Sequence, residues 1–300
     1  SLGEPGLADY IIGDPVVSPL EHQTQYSETI LNLPLCYQPN KRWEPVPQPM
    51  SRQQAGLPED AFVFCSFNQA YKLTPHMFGL WCRLVSQVPG SVLWLLQPKS
   101  DEAQAYIISE FEKTGLSPKR LIFAPRLALN THEKRIACAD LGLDTFPYTS
   151  HTTGRDLLWS GVPYVAMCGD TFASRVSSSL LIALGLKELV VHTDEEWLNL
   201  NLKLAGDRER LKALRHRLLD TNPTSELFNP QKFSNDFYAT LGSLASRSVY
   251  QRRHQVEFDA HTVYEDEHLR AAVQRAPGEV QLVFFGDFTQ SAQESKLPLN

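Results

Sequence analysis

Beyond residue 60 the apolar residues of this chain fall into two alternating rhythms. Short unbroken runs rich in Val, Leu, Ile and Phe occupy 62–67 (FVFCSF), 91–96 (SVLWLL), 120–124 (RLIFA), 141–145 (LGLDT), 164–167 (YVAM) and 188–191 (ELVV). Between them, over 74–87, 101–114, 131–139, 153–160 and 174–184, apolar positions recur every three or four residues. A short continuous run is the mark of a strand buried on both faces, and the wider spacing is that of a helix with one apolar stripe. Their alternation predicts βαβ units and hence an α/β fold: a Rossmann-like, doubly wound parallel sheet. VPG before the second run and GLSP before the third supply the punctuation of short helix-to-strand loops. Residues 194–219 and 230–247 read as two terminal helices, the first dense in interspersed charges.

The flanks follow neither rhythm. Five prolines within 36–58 predict an extended linker, since proline removes a backbone donor and resists helix. Upstream, ADYIIGDPVVSP holds a strand-like run and EHQTQYSETILNL reads as helical, which together are too little for a domain. We therefore expect three parts: 1–45 as the end of a preceding lobe with its crossing linker, 46–247 as a ligand-binding lobe, and 248–300 as an extension or the start of a further domain. In the last part EVQLVFFGDF reads as one more strand.

Composition narrows the class. A 42% hydrophobic and 21% charged chain is of ordinary globular type. A formal net charge of −6 argues against a general nucleic-acid binder. No apolar run approaches the roughly 20 residues that span a bilayer, and no signal peptide is recognisable at the start. With five cysteines, an odd count lacking any CxxC pair, neither a disulfide framework nor a zinc knuckle is expected, and a cytoplasmic setting is.

In an open doubly wound sheet ligands bind beyond the carboxyl ends of the strands, so the segments following strands hold the candidate chemistry. In SFNQAYK (66–72), Gln69 and Lys72 are three apart and would aim the same way on a helical turn; an amide and an ammonium there suit phosphate oxygens, or else form a solvated loop. In APRLALNTHEKR (124–135), His132 and Arg135 share the same spacing; a ring and a guanidinium suit a planar base, or else Asn130 or Thr131 simply caps a helix. In HTTGRD (151–156), Thr153 and Asp156 fit a capping box, yet capping explains neither His151 nor Thr152 nor Gly154. Small hydroxyl residues and a glycine at a helix N-terminus suit a diphosphate, because free backbone N–H groups and the positive dipole end converge there. One parallel sheet would gather all three segments at one rim, favouring a nucleotide site over three unrelated helix starts. There is no D-x-D triplet, GxxxxGK[ST], GxGxxG or GxSxG, so metal-chelating, P-loop, dinucleotide and nucleophile-elbow signatures are all lacking.

Taken in order, ADYIIGDPVVSP, YSETILNLPLCYQPN, FCSFNQAYKLTP, SVLWLL, LGLDTFPYTSHTTGRDLLWSGVPYV and GDTFASRVSSSLL resemble the O-linked N-acetylglucosamine transferases over residues 8–245. The resemblance implies the C-terminal lobe of a two-lobed glycosyltransferase B fold. It implies UDP-N-acetylglucosamine as donor, protein Ser/Thr hydroxyls as acceptor, and inverting transfer without metal or cofactor. In that family pattern Gln69 and Lys72 contact the diphosphate, Lys72 being the catalytic leaving-group stabiliser. His132 stacks on uracil with Arg135 beside it, His151, Thr152 and Thr153 wrap the phosphates, and Asp156 holds the ribose hydroxyls. Leu129 departs from a lysine carried by many members. Most of the N-terminal lobe, its proposed catalytic histidines and any tetratricopeptide repeats fall outside the sequence, so turnover by this chain alone is not expected. Two alternatives remain open: a UDP-sugar-binding or protein-interaction lobe without catalysis, and a related sugar-nucleotide enzyme such as a 2-epimerase. GDTFASRVSSSLL could position the sugar or simply be a capped helix.

Overall fold

A computed structural model describes residues 7–40 and 50–251, which form two compact units, 7–37 with 231–251, and 38–230.

In the smaller unit β1 (Tyr10–Gly13) and β2 (Thr29–Asn32) pair in parallel. The Asp14 carboxylate caps the turn after β1, accepting from the amides of Val16, Val17 and Tyr37. Gly13 is required, because a Cβ there would lie 1.7 Å from Ser18 Oγ. The helix expected over 21–33 is replaced by a 3-10 turn, Leu20–Gln25, followed by β2. The Gln23 amide ends it by accepting from Ile30 N and donating to Glu28 O, which frees 29–32 to pair with β1.

The larger unit carries the expected sheet. Strands β3 (Phe62–Ser66), β4 (Ser91–Leu96), β5 (Leu121–Ala124), β6 (Leu141–Leu143), β7 (Tyr164–Met167) and β8 (Val190–Val191) lie in the order β5-β4-β3-β6-β7-β8, with every pairing parallel. The chain winds outward from β3 to β5, then returns to the centre and winds the other way from β6 to β8. The order therefore reverses between β3 and β6, and a crevice opens there at the carboxyl ends. All residues of β3 and β7 are buried, as strands covered on both faces require.

The covering helices are α1 (Pro75–Gln87), α2 (Asp101–Lys113), α3 (Leu129–Ile136), α4 (Thr152–Trp159), α5 (Val176–Ala183), α6 (Asp194–Gly206) and α7 (Arg208–Thr221). Local chemistry starts most of them: Thr74 accepts from Met77 N with Pro75 at the first helical position, Ser100 accepts from Ala103 N, and Thr193 and Glu196 form a reciprocal capping box. The single helix expected over 194–219 is two, because Asp207 caps α7 by accepting from Arg210 N and so ends α6. Trp81, Trp94, Trp159 and Trp197 are fully buried and anchor the core. Helix α8 (Pro230–Gln251) belongs to the other unit. The strand expected at 279–288 and most of the 248–300 extension lie outside the described residues, as does 41–49 of the proline-rich linker.

Candidate functional site

The loops after β3, β5 and β6 bring the three expected segments to one rim of the sheet. The first runs from Ser66 to Lys72. Asn68, buried, donates to Ser66 Oγ at 3.2 Å and to Ser150 Oγ at 2.8 Å, joining the loops on either side of the crevice. Lys72 closes a 3-10 turn and is 7% exposed; its Nζ donates to the Thr149 carbonyl at 3.1 Å and lies 3.9 Å from the centroid of the Tyr148 ring. Gln69 does not point with it. Its Oε1 accepts from Arg126 Nη2 at 2.8 Å, tying the β3 loop to the β5 loop. Gln69 precedes the 3-10 turn with extended backbone, and this parts the two side chains.

After β6 the chain turns on Asp144, whose Oδ1 accepts from Thr145 N at 2.9 Å and Ser150 N at 2.7 Å. Burial pushes the Asp144 carboxyl up to about 6, against the opposing pull of these donors. Thr145 Oγ1 donates to Tyr148 O, and the Thr149 amide and hydroxyl both donate to Ala173 O. Ser177 Oγ donates to Ser150 O. The segment 169–181 thus braces this loop: Thr171 and Ser174 form a capping box, and Ser177, Ser178 and Ser179 are buried. His151 is buried with its ring edge-on to Tyr148, centroids 5.1 Å apart, so Lys72 and His151 meet the same aromatic ring.

Capping does not explain the hydroxyl-rich motif. Helix α4 starts at Thr152 with His151 as N-cap and no side-chain cap bond, which leaves Thr153 inside the first turn. Likewise α3 starts at Leu129 after Ala128, so neither Asn130 nor Thr131 occupies its N-cap position. The first amides of a helix have no carbonyl four residues back, and those of α4 directly follow the loop whose Thr149 carbonyl Lys72 holds. Gly154 has a packing reason that stands apart from the expected close approach of a ligand. A Cβ there would lie 3.1 Å from both Ser150 Cβ and the Tyr164 hydroxyl, so the glycine lets α4 pack onto β7 and its own loop. Gly154→Ala is expected to cost about 1–3 kcal/mol in urea unfolding, as overpacking of a tight core does, and an unchanged midpoint would remove this explanation.

On α3, His132 packs edge-on against Phe67 at 5.0 Å between centroids. Arg135 Nε donates to His132 Nδ1 at 2.9 Å, and Nη1 donates to the Pro125 carbonyl. Burial, with Arg135 assisting, lowers the His132 pKa to about 4. The ring is therefore neutral at physiological pH, accepting at Nδ1 and carrying its proton at Nε2. Arg135 does not stand beside the ring at the surface: it is 2% exposed and lies over Phe67 and Trp94, bracing His132 from beneath. Asp156 is buried on α4 with its Oδ1 2.9 Å from Arg155 Nη2, an ion pair outside hydrogen-bond alignment. Burial raises the Asp156 pKa and Arg155 opposes the shift. Glu133, also buried, is pushed up to about 7 by burial and by Asp156.

Gln69, Lys72, His132, His151, Thr152, Thr153 and Asp156 therefore sit on loops or helix starts of one sheet rim, with Arg135 behind them. Asn68, Tyr148, Ser150 and Asp144, which shape the crevice, carried no signal beyond their position just after a strand. The arrangement offers one ammonium, helix-terminal amides and hydroxyls for an anion, a neutral imidazole for a flat ring, and a carboxylate acceptor. Among the described residues no three His, Cys, Asp or Glu side chains lie close enough to hold a metal ion, and no helix is long and apolar enough to cross a membrane.

Comparison with known proteins shows which family the chain belongs to. The profile of glycosyl transferase family 41 matches residues 42–237. The chain is 36% identical over 245 residues to a probable UDP-N-acetylglucosamine–peptide N-acetylglucosaminyltransferase, SEC, of Arabidopsis thaliana, covering 77% of this chain and 25% of that one. It is 38% identical over 197 residues to the UDP-N-acetylglucosamine–peptide N-acetylglucosaminyltransferase of Caenorhabditis elegans, covering 66% and 17%. Among solved structures, a lysine-to-methionine variant of the Thermobaculum terrenum O-GlcNAc transferase superposes with a TM-score of 0.71 at 28% identity, over 80% of this chain and 46% of that one. The chain thus spans a quarter or less of these two curated relatives. Its fold is the doubly wound lobe of a glycosyltransferase B architecture, and the chain belongs to glycosyl transferase family 41.

Proposed function

We propose that this chain is the donor-binding lobe, residues 46–247, of a protein that transfers N-acetylglucosamine from UDP-N-acetylglucosamine to Ser/Thr hydroxyls of proteins. The observation that carries the reading is the Lys72 ammonium, buried 3.1 Å from the Thr149 carbonyl on the very loop that runs into the α4 N-terminus. A cation held by the loop that leads into a helix N-terminus suits a diphosphate. The names of the relatives, each a UDP-N-acetylglucosamine–peptide transferase, support the donor and acceptor classes.

In this reading the uracil lies on the His132 ring, whose orientation Arg135 fixes from behind, and Asp156 accepts from the ribose hydroxyls. Lys72, Gln69, Thr152, Thr153, His151 and the α4 amides surround the diphosphate. The acceptor oxygen attacks the anomeric carbon from the face opposite the leaving group, the bond to the β-phosphate oxygen breaks, and its electron pair settles on that oxygen. Charge that develops there is met by donors already in place, without a metal or cofactor. The acceptor's proton leaves to a base on the other lobe, which this reading places outside the chain together with tetratricopeptide repeats. Burial of Cys36, Cys65, Cys82 and Cys138 fits the reducing cytoplasm.

Calorimetric titration of UDP tests the site. A saturable one-site isotherm is expected, weakened about tenfold, roughly 1.4 kcal/mol, by Asp156→Asn. No saturation in the millimolar range removes the reading. Labelled-sugar transfer by the protein containing both lobes separates the enzyme from a lobe that only binds. Release of free N-acetylmannosamine in place of a glycosylated peptide points to a 2-epimerase instead.

A further inference from the structure

Helix α3 buries a carboxyl to which the donor site gives no task. Glu133 directly follows His132, is 6% exposed, and its Oε1 has no hydrogen-bond partner among the described residues. An unmatched buried acceptor is costly to keep, and more so if it is charged. Burial first, and then Asp156, push the Glu133 carboxyl up to about 7, while Arg155 opposes them. Asp156 and Arg155 both lie on α4, which packs against α3.

The other cations around α3 are engaged elsewhere. On the helix itself Arg135 is turned to His132 and the Pro125 carbonyl, and Lys134 is exposed. Arg52, on the segment whose Met50 amide donates to Lys134 O, pairs with Asp140. Arg126 of the β5 loop donates to Gln69, and Lys72 of the β3 loop to Thr149 O. Arg155, 2.9 Å from Asp156, therefore serves two buried carboxyls, and it pulls the pKa of both downward. When both ionise, one negative charge is in excess beside the carboxylate assigned to the ribose.

Given the donor site proposed above, we propose that Glu133 is a positioning residue for Asp156 whose proton couples donor binding to pH. Neutral, it leaves Arg155 to Asp156. Ionised, it competes for that guanidinium and repels the diphosphate. The bound donor's charge raises the carboxyl further, so a proton is taken up on binding. Affinity is then full below about pH 6 and falls as pH rises through about 7.

The test is calorimetry of UDP-N-acetylglucosamine against the chain at pH 6 and pH 8. Its diphosphate is esterified at both ends and keeps a constant charge over that range, whereas the terminal phosphate of UDP itself titrates near about pH 6. Binding about fivefold weaker at pH 8 is expected, with a heat at pH 7 that varies with the ionisation enthalpy of the buffer, as uptake of part of a proton requires. Glu133→Gln should abolish both the pH dependence and the proton uptake. Asp144→Asn, which removes another buried carboxyl of the crevice, should abolish neither. Glu133→Met provides the same reading should the glutamine variant melt early. Equal affinity at the two pH values, no proton uptake, or a pH dependence that survives removal of the Glu133 carboxyl overturns the coupling and leaves the donor site standing. No binding of the sugar nucleotide at either pH removes the donor site and the coupling together.

Discussion

Replacing Lys72 by methionine is expected to lower sugar transfer by the complete two-lobed protein about 10²–10³-fold, roughly 3–4 kcal/mol of transition-state stabilisation, the usual loss for one preorganised donor at a developing charge. The loss should fall on kcat more than on KM, because the leaving oxygen carries its full charge only as the glycosidic bond breaks. UDP, which carries that charge at rest, should bind more weakly to the variant than to the unaltered chain. Methionine nearly matches the lysine stem in length and the site is only 7% exposed, so the fold should survive; the Thr149 carbonyl loses its donor at a cost of about 1 kcal/mol. Arginine should not rescue, since its planar fork is wider than an ammonium wedged against the Tyr148 face. Transfer within threefold of the unaltered protein by the methionine variant would sink the assignment.

Asp144 should give the second large effect, and its direction depends on pH. Its carboxyl is pushed up by burial from 3.8 to about 6. A raised acid contributes stability that is fully present below pH 4 and is lost as pH rises through about 6, when the buried group must ionise; the difference of roughly two pKa units corresponds to about 3 kcal/mol. Asp144→Asn keeps an oxygen for the Thr145 and Ser150 amides yet never ionises. Between pH 5 and pH 8 it should therefore gain stability relative to the unaltered chain. Asp144→Ala orphans both amides and should cost about 2–4 kcal/mol at either pH, loosening the loop that holds Thr149 and with it UDP binding. Urea unfolding at the two pH values checks this: asparagine as damaging as alanine at pH 8 would mean that the carboxylate charge is not what burial opposes.

The strands were legible because a sheet covered on both faces needs unbroken apolar runs, and FVFCS, SVLWLL and YVAM are such runs. Their ends were less so. The run read as 141–145 stops at Leu143 because the Asp144 side chain turns back onto two amides, a bond made six residues ahead in the loop. β2 escaped notice since its pairing with β1 and the Gln23 bridge to Ile30 are contacts at a distance, which local spacing does not reveal. Among site residues, the position of Lys72, His132 and Thr152 after strands was readable, but side-chain direction was not. Gln69 and Lys72 diverge although three apart, and Arg135 turns inward beneath His132, because partners on other loops decide where each points. Asn68 and Ser150, 82 residues apart, meet only through the sheet.

That distance has a consequence for how the protein comes into being. The Lys72–Thr149 contact closes a span of 77 residues. On the ribosome, a nascent segment ending before α4 possesses the ammonium but not the amides opposite it. For the function proposed, the two halves of the anion site are both present only once α4 has been synthesised.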